Sequence, residues 1–142
     1  FEGDQMIYRK GGRNQMAGGY LMAGYIHNTP HVSSISDEAY GGLSFNGVIP
    51  SRVTDRLGIL YSWYHVSHRK ELGQIYAQNA GLSLGAQVLA PQTDSHVIEA
   101  YYAIDAFPGI LVQPEFQYMI RPGETSRIPD AALVGLKVIG NL

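Results

Sequence analysis

With 142 residues, a formal charge of −2 and no cysteine, the chain has room for one ordinary domain. It lacks a basic surface for nucleic acid, an acidic tail, disulfides and thiolate metal sites. Ten tyrosines and seventeen glycines beside only 15% charged residues point to an all-β chain, and the longest apolar run, IEAYYAIDAFPGILV, is broken by Glu99, Asp105 and a Pro-Gly turn, so no membrane helix is present.

The first residues, Phe1-Glu2-Gly3-Asp4, have neither the charged nor the apolar region of a signal peptide. Seven strand-like segments follow in chain order: Asp4–Arg9, Met16–His27, Ala39–Val48, Arg56–Val66, His96–Ala106, Ile110–Ile120 and Ala131–Leu142. Helical character is confined to part of 70–90. Segment 110–120 alternates most clearly, with Gln113, Glu115 and Gln117 on one side and Pro114, Phe116, Tyr118 and Ile120 on the other. Period two is the mark of a strand with one polar and one apolar face.

Connection lengths separate a soluble sheet from a membrane barrel. KGGRNQ is short and HNTPHVSSISDE longer; IPSRVTD is short and 67–95 very long; FPG is tight and RPGETSRIPD longer again. Tight periplasmic turns alternating with extended extracellular loops are expected of an outer-membrane barrel, in which apolar faces meet lipid and polar faces the lumen. If FPG is periplasmic, 110–120 runs outward and the last segment returns, placing the C-terminus in the periplasm. That segment has Val134, Leu136, Val138 and Leu142 on one face and Gly135, Lys137 and Asn141 on the other. It is similar to the terminal signal of outer-membrane proteins, with leucine where an aromatic residue is usual. Bacterial single-chain barrels close with even strand numbers, and an open edge in lipid leaves backbone groups unpaired. Seven strands therefore imply the C-terminal part of a larger barrel. The competitor is an eight-stranded barrel with a further strand in Gly73–Gln87.

Four stretches carry a family resemblance: DQMIYRKGG, GGLSFNGVIPSRVTDRLGILYSWYHVS, HVIEAYYAIDAFPGILVQPEFQYMIRPG and DAALVGLKVIGNL. In this order and with these turn lengths, the chain resembles the C-terminal part of the OprB-type carbohydrate-selective porins. Departures are Pro-Ser-Arg at 50–52, Pro-Gly-Glu at 122–124 and the non-aromatic last residue. The resemblance implies a sixteen-stranded outer-membrane barrel passing mono- or small oligosaccharides, with this chain supplying its last seven strands and a long extracellular loop at about 67–95. It implies no enzymatic activity and no cofactor. Oligomeric state stays open between a single barrel, a trimer and association with other envelope proteins, since no flat apolar trimer face is identifiable.

In a porin the functional residues are those facing the lumen. The polar faces give Glu99, Tyr101 and Asp105 on 96–106, Gln113, Glu115 and Gln117 on 110–120 with Arg121 following in phase, Lys137 and Asn141 on the last strand, and Ser44 and Asn46 on 39–48. On 56–66 Ser62 looks inward, while Leu57, Ile59, Tyr61 and Trp63 look outward. The facing of 16–27 is undecided between the Tyr25/His27 side and its opposite. Amides and carboxylates suit sugar hydroxyls, aromatic rings suit the sugar's C–H face, and several modest contacts in series permit conduction. Glu99 and Glu115 set against Arg121 and Lys137 would also create a transverse field that disfavours apolar solutes. For any one residue the alternative is a solvated wall position that keeps the lumen wet.

Other readings compete. His65 and His68 have a spacing used by some helical metal sites, without a carboxylate at the required distance. Ser62, Ser67 and five histidines invite a phospholipase-like barrel enzyme, without a nucleophile motif. A soluble β-sandwich or barrel would turn its apolar faces into a core. Tyr20, Tyr25, Tyr61, Trp63, Tyr64, Tyr102 and Tyr118 are candidates for interfacial girdles.

Overall fold

A computed structural model describes residues 1–11, 17–86 and 88–140. Among these residues seven strands form one sheet in chain order, each antiparallel to the next. They are β1 (Glu2–Arg9), β2 (Gly18–His27), β3 (Ile35–Asn46), β4 (Arg56–Val66), β5 (Asp94–Phe107), β6 (Ile110–Ile120) and β7 (Ala131–Gly140). One helix, α1 (His68–Asn79), lies between β4 and β5, and a short 3-10 turn (Pro122–Glu124) follows β6. Among the described residues no helix is long and apolar enough to cross a membrane.

The segments 56–66 and 110–120 have the boundaries expected from alternation, whereas β3 begins four residues early. Polar Ser36, Asp37 and Glu38 are extended because the sheet satisfies them. Asp37 accepts from the Tyr25 hydroxyl at 2.5 Å and from Ser36 at 2.7 Å, and lies 2.8 Å from His27 Nδ1. The longer β3 shortens the connection before it to residues 28–34, no longer than the one at 47–55. Strict alternation of connection lengths thus holds only from β4 onward, where 67–93, 108–109 and 121–130 connect the strands. The region 73–87 contains α1 and irregular chain rather than strand among its described residues, which removes the eight-stranded alternative.

Among the described residues there is almost no protein core. The buried apolar residues among those described are Ala17, Val66 and Ala103, while Val134, Leu136 and Val138 are 86%, 66% and 65% exposed. A soluble sheet would cover such a face, because contiguous uncovered apolar area of this extent is unstable in water. Strands β2 to β7 have 10 to 14 residues, enough for a tilted strand to cross a bilayer.

The long connection is pinned by polar contacts. Gln74, buried on α1, accepts from the Gln92 N–H at 2.8 Å and donates to Gln92 Oε1 at 2.9 Å. Gln92 in turn donates to the Gly123 carbonyl and to Glu124 Oε2, each at 2.9 Å. These bonds join α1, the approach to β5 and the 122–124 turn.

Candidate functional site

Register shifts occur only near strand ends, at Met6/Tyr8, Ile35/Asp37 and Asp105/Phe107, so a single line of paired residues crosses the whole sheet: Asp4, Met22, Gly42, Leu60, Glu99, Gln117 and Leu133. Residues in step with this line share one face. It includes Tyr20, Tyr40, Ser44, Asn46, Arg56, Ser62, Tyr64, Tyr101, Gln113, Glu115 and Lys137. The opposite face carries Leu21, Leu43, Phe45, Leu57, Ile59, Ile98, Phe116, Val134, Leu136 and Val138. The polar side chains from β2 to β7 gather on the first face, interspersed with Met22, Leu60 and Leu133, and the second face is predominantly apolar.

On β5 to β7 the polar residues form a bonded network. Lys137 Nζ lies 2.6 Å from Glu115 Oε2, and the same oxygen accepts from the Gln113 amide at 3.3 Å. Gln117, one step along β6, donates to Glu99 Oε2 at 2.9 Å. Glu115 fits closely because its partner Gly135 has no side chain; a Cβ there would meet Glu115 Cγ at 2.9 Å. Thus Glu99, Gln113, Glu115, Gln117 and Lys137 come together, with Tyr101 directly opposite Glu115.

Ser44 and Asn46 belong to a second group on the same face. Arg56 Nε donates to Asn46 Oδ1 at 3.1 Å. Asp4, Tyr20, Met22, Ser44, Asn46, Arg56 and Tyr101 surround a hollow of about 370 Å³, within the size range of small-ligand sites. Sequence reasoning missed Asp4, Tyr20, Tyr40 and Arg56. Arg56 could have been found, since it is in phase with Ser62. Tyr20 could not, because only its pairing with Ser44 settles the facing of β2. That pairing also places Tyr25 and His27 on the apolar side.

Three expected positions stand apart. Arg121 does not continue the polar face of β6: its backbone is left-handed (φ 55°), which breaks the alternation. Its guanidinium reaches Asp94 at 2.6 Å, on the face of His96 and Ile98. Asp105 keeps the phase of Tyr101 but sits beside the 108–109 turn, away from the network. Asn141 lies outside the described residues.

The aromatic positions divide. Tyr25, Tyr61, Trp63, Tyr102 and Tyr118 are on the apolar face, whereas Tyr20 and Tyr64 are on the polar one. Toward the loop-rich end the apolar face becomes polar: the Tyr61 hydroxyl lies 2.7 Å from His96 Nδ1, and His96 Nε2 lies 2.9 Å from Asp94. His65 stacks on Trp63 while His68 starts α1 near Glu71, so the two histidines diverge. Among the described residues no group of three or more His, Cys, Asp or Glu side chains is placed to hold a metal.

At the opposite end the 47–55 turn is locked by Asp55, which is 1% exposed. It accepts from the Arg52 guanidinium, from the Tyr102 hydroxyl at 2.7 Å and from the Asp105 N–H at 3.2 Å. The Arg52 guanidinium holds the carboxyl below the usual carboxylate range, against the effect of burial, with help from Tyr102 and the Asp105 N–H.

A sheet with strands of spanning length, polar and cross-bonded on one face and apolar and uncovered on the other, is the wall of a transmembrane β-barrel. Its two edges, β1 and β7, are not paired with each other. The chain belongs to the carbohydrate-selective porins of the OprB family, matching that family over residues 1–142, and so forms part of an outer-membrane barrel. A solved structure of Pseudomonas putida OprB at high pH has a similar fold, with a TM-score of 0.85 and 21% identity over 96% of this chain and 33% of that one. The chain thus spans about a third of the length of that relative. Among curated proteins none matches.

Proposed function

We propose that this chain supplies the last seven strands of a porin through which mono- or small oligosaccharides diffuse. The carrying observation is the network of Glu99, Gln113, Glu115, Gln117 and Lys137 on one face of a sheet whose other face has no protein cover. Only a water-filled lumen gives those charges a favourable environment while the opposite face meets lipid. Amide, carboxylate, ammonium and hydroxyl groups in series offer exchangeable hydrogen bonds, which hold a sugar briefly without trapping it.

The two-residue turn at 108–109 and the pinned loop at 67–93 support placing them at the periplasmic and extracellular ends respectively. β7 then runs inward and the C-terminus is periplasmic. The unpaired edges of β1 and β7 support a barrel completed by further strands. Liposome swelling with the complete porin tests the reading. Glucose should enter far faster than a large dextran, and equal exclusion of the two would overturn it.

A further inference from the structure

Two glycines on the polar face shape the path more directly than the charges do. A Cβ built on Gly58 would lie 2.4 Å from Tyr101 Cζ, 2.5 Å from Cε1 and 2.6 Å from the hydroxyl oxygen. On Gly24 it would lie 2.3 Å from Tyr40 Cζ, 2.4 Å from the hydroxyl oxygen and 2.6 Å from Cε1. In both cases Cζ is nearest and its two neighbours are slightly farther. A ring met at its edge would put Cε1 or the oxygen nearest, so each glycine is met by a ring face. Side chains stand perpendicular to a sheet, and a ring whose face covers a Cα is therefore laid parallel to the wall. Its other face looks toward the lumen.

We infer that Tyr101 and Tyr40 are pyranose-stacking platforms, held flat by Gly58 and Gly24, and that the hollow beside Tyr101 is a saccharide subsite. This rests on the sugar-porin reading above. The hollow supplies the polar half of recognition: Asp4 and Asn46 accept from sugar hydroxyls, Arg56 donates to them, and Ser44 does either. The ring supplies the apolar half, against the C–H face of a pyranose. Tyr40 pairs with Ser62 and Tyr101 with Gly58, four residues apart on β4. The platforms are therefore separated by about 13 Å along the strands and about 10 Å across them. A sugar leaving one can reach the other without a long unbound interval. Flat rings also preserve the bore, since the same side chains standing upright would narrow it.

The test uses the complete porin with glucose and sorbitol, a hexitol with similar hydroxyls but no ring face. In Tyr101→Ala the ratio of glucose to sorbitol uptake should fall toward one. Glucose block of single-channel current should weaken roughly threefold to tenfold, the size of one aromatic contact. In Gly58→Ala the ring must leave the wall, so ionic conductance should fall, and Gly58→Ala/Tyr101→Ala should recover it. An unchanged glucose-to-sorbitol ratio in Tyr101→Ala overturns the subsite while leaving the porin reading intact. A double variant that conducts as poorly as Gly58→Ala overturns the role of the glycine. Wild-type exclusion of both sugars overturns the porin reading itself.

Discussion

Replacing Asp55 by asparagine tests whether the turn before β4 holds that end of the wall together. The carboxylate accepts from Arg52, Tyr102 and the Asp105 N–H, and is almost wholly buried. Asparagine keeps the shape but leaves one oxygen, and turns its NH2 toward donors. Hydrogen bonds to a charged group are worth about 1.5–3 kcal/mol each. The side chain of Arg52 is 41% exposed, so water screens its share. Tyr102 and the Asp105 N–H, both on β5, should dominate, giving a loss of about 2–4 kcal/mol near neutral pH. The sign with pH follows from the lowered carboxyl. Its stabilisation is complete above the unfolded value of about 3.9 and is lost as pH falls through the folded value. Wild type and Asp55→Asn should therefore converge in acid. Urea unfolding of the liposome-inserted porin, scored by gel mobility, measures this at neutral pH and near pH 3. A difference below about 0.5 kcal/mol at neutral pH, or one that persists unchanged in acid, would refute the reasoning.

Val134→Arg, on the apolar face, should destabilise the inserted barrel by about 2–4 kcal/mol, whereas Gln117→Arg, whose donors can still reach Glu99, should stay within about 0.5 kcal/mol. The same unfolding assay compares them, and equal losses would mean that the faces are assigned wrongly. Lys137→Glu replaces the cation beside Glu115 with a third carboxylate near Glu99. The reversal potential in a salt gradient should move toward cation preference, and movement toward anions would count against a lumenal Lys137. Gly47 has φ +66°, and a Cβ there would press on the Val53 carbonyl at 3.1 Å. Gly47→Ala should cost about 1–2 kcal/mol in urea unfolding without altering sugar preference.

The strands were legible where alternation and turn chemistry agreed. β6 has polar Gln113, Glu115 and Gln117 between apolar neighbours and follows a Pro-Gly turn, so both its limits and its faces could be read from sequence. β2 could be located but not oriented: tyrosine and small residues occur on both its sides, and only pairing with β3 separates Tyr20 from Tyr25. The start of β3 was obscured because Asp37 looks like a loop residue until Tyr25 and His27 are brought beside it. α1 gave no apolar stripe because the residue it buries is Gln74, whose partner is the Gln92 amide. In the candidate site, charges were visible one strand at a time. The glycines under Tyr40 and Tyr101 were not, since a missing side chain has meaning only once its cross-strand neighbour is known.

The uncovered apolar face also makes the strands a length gauge. Eleven residues, as in β4 and β6, extend about 36 Å and project to about 26 Å when tilted by 45°. That span matches the thin hydrocarbon layer of a bacterial outer membrane better than a sterol-thickened bilayer. Lipid therefore does for this chain what the second layer of a sandwich does for a soluble protein. Thickening the acyl region of a reconstituted bilayer should act like a core mutation, with no residue changed.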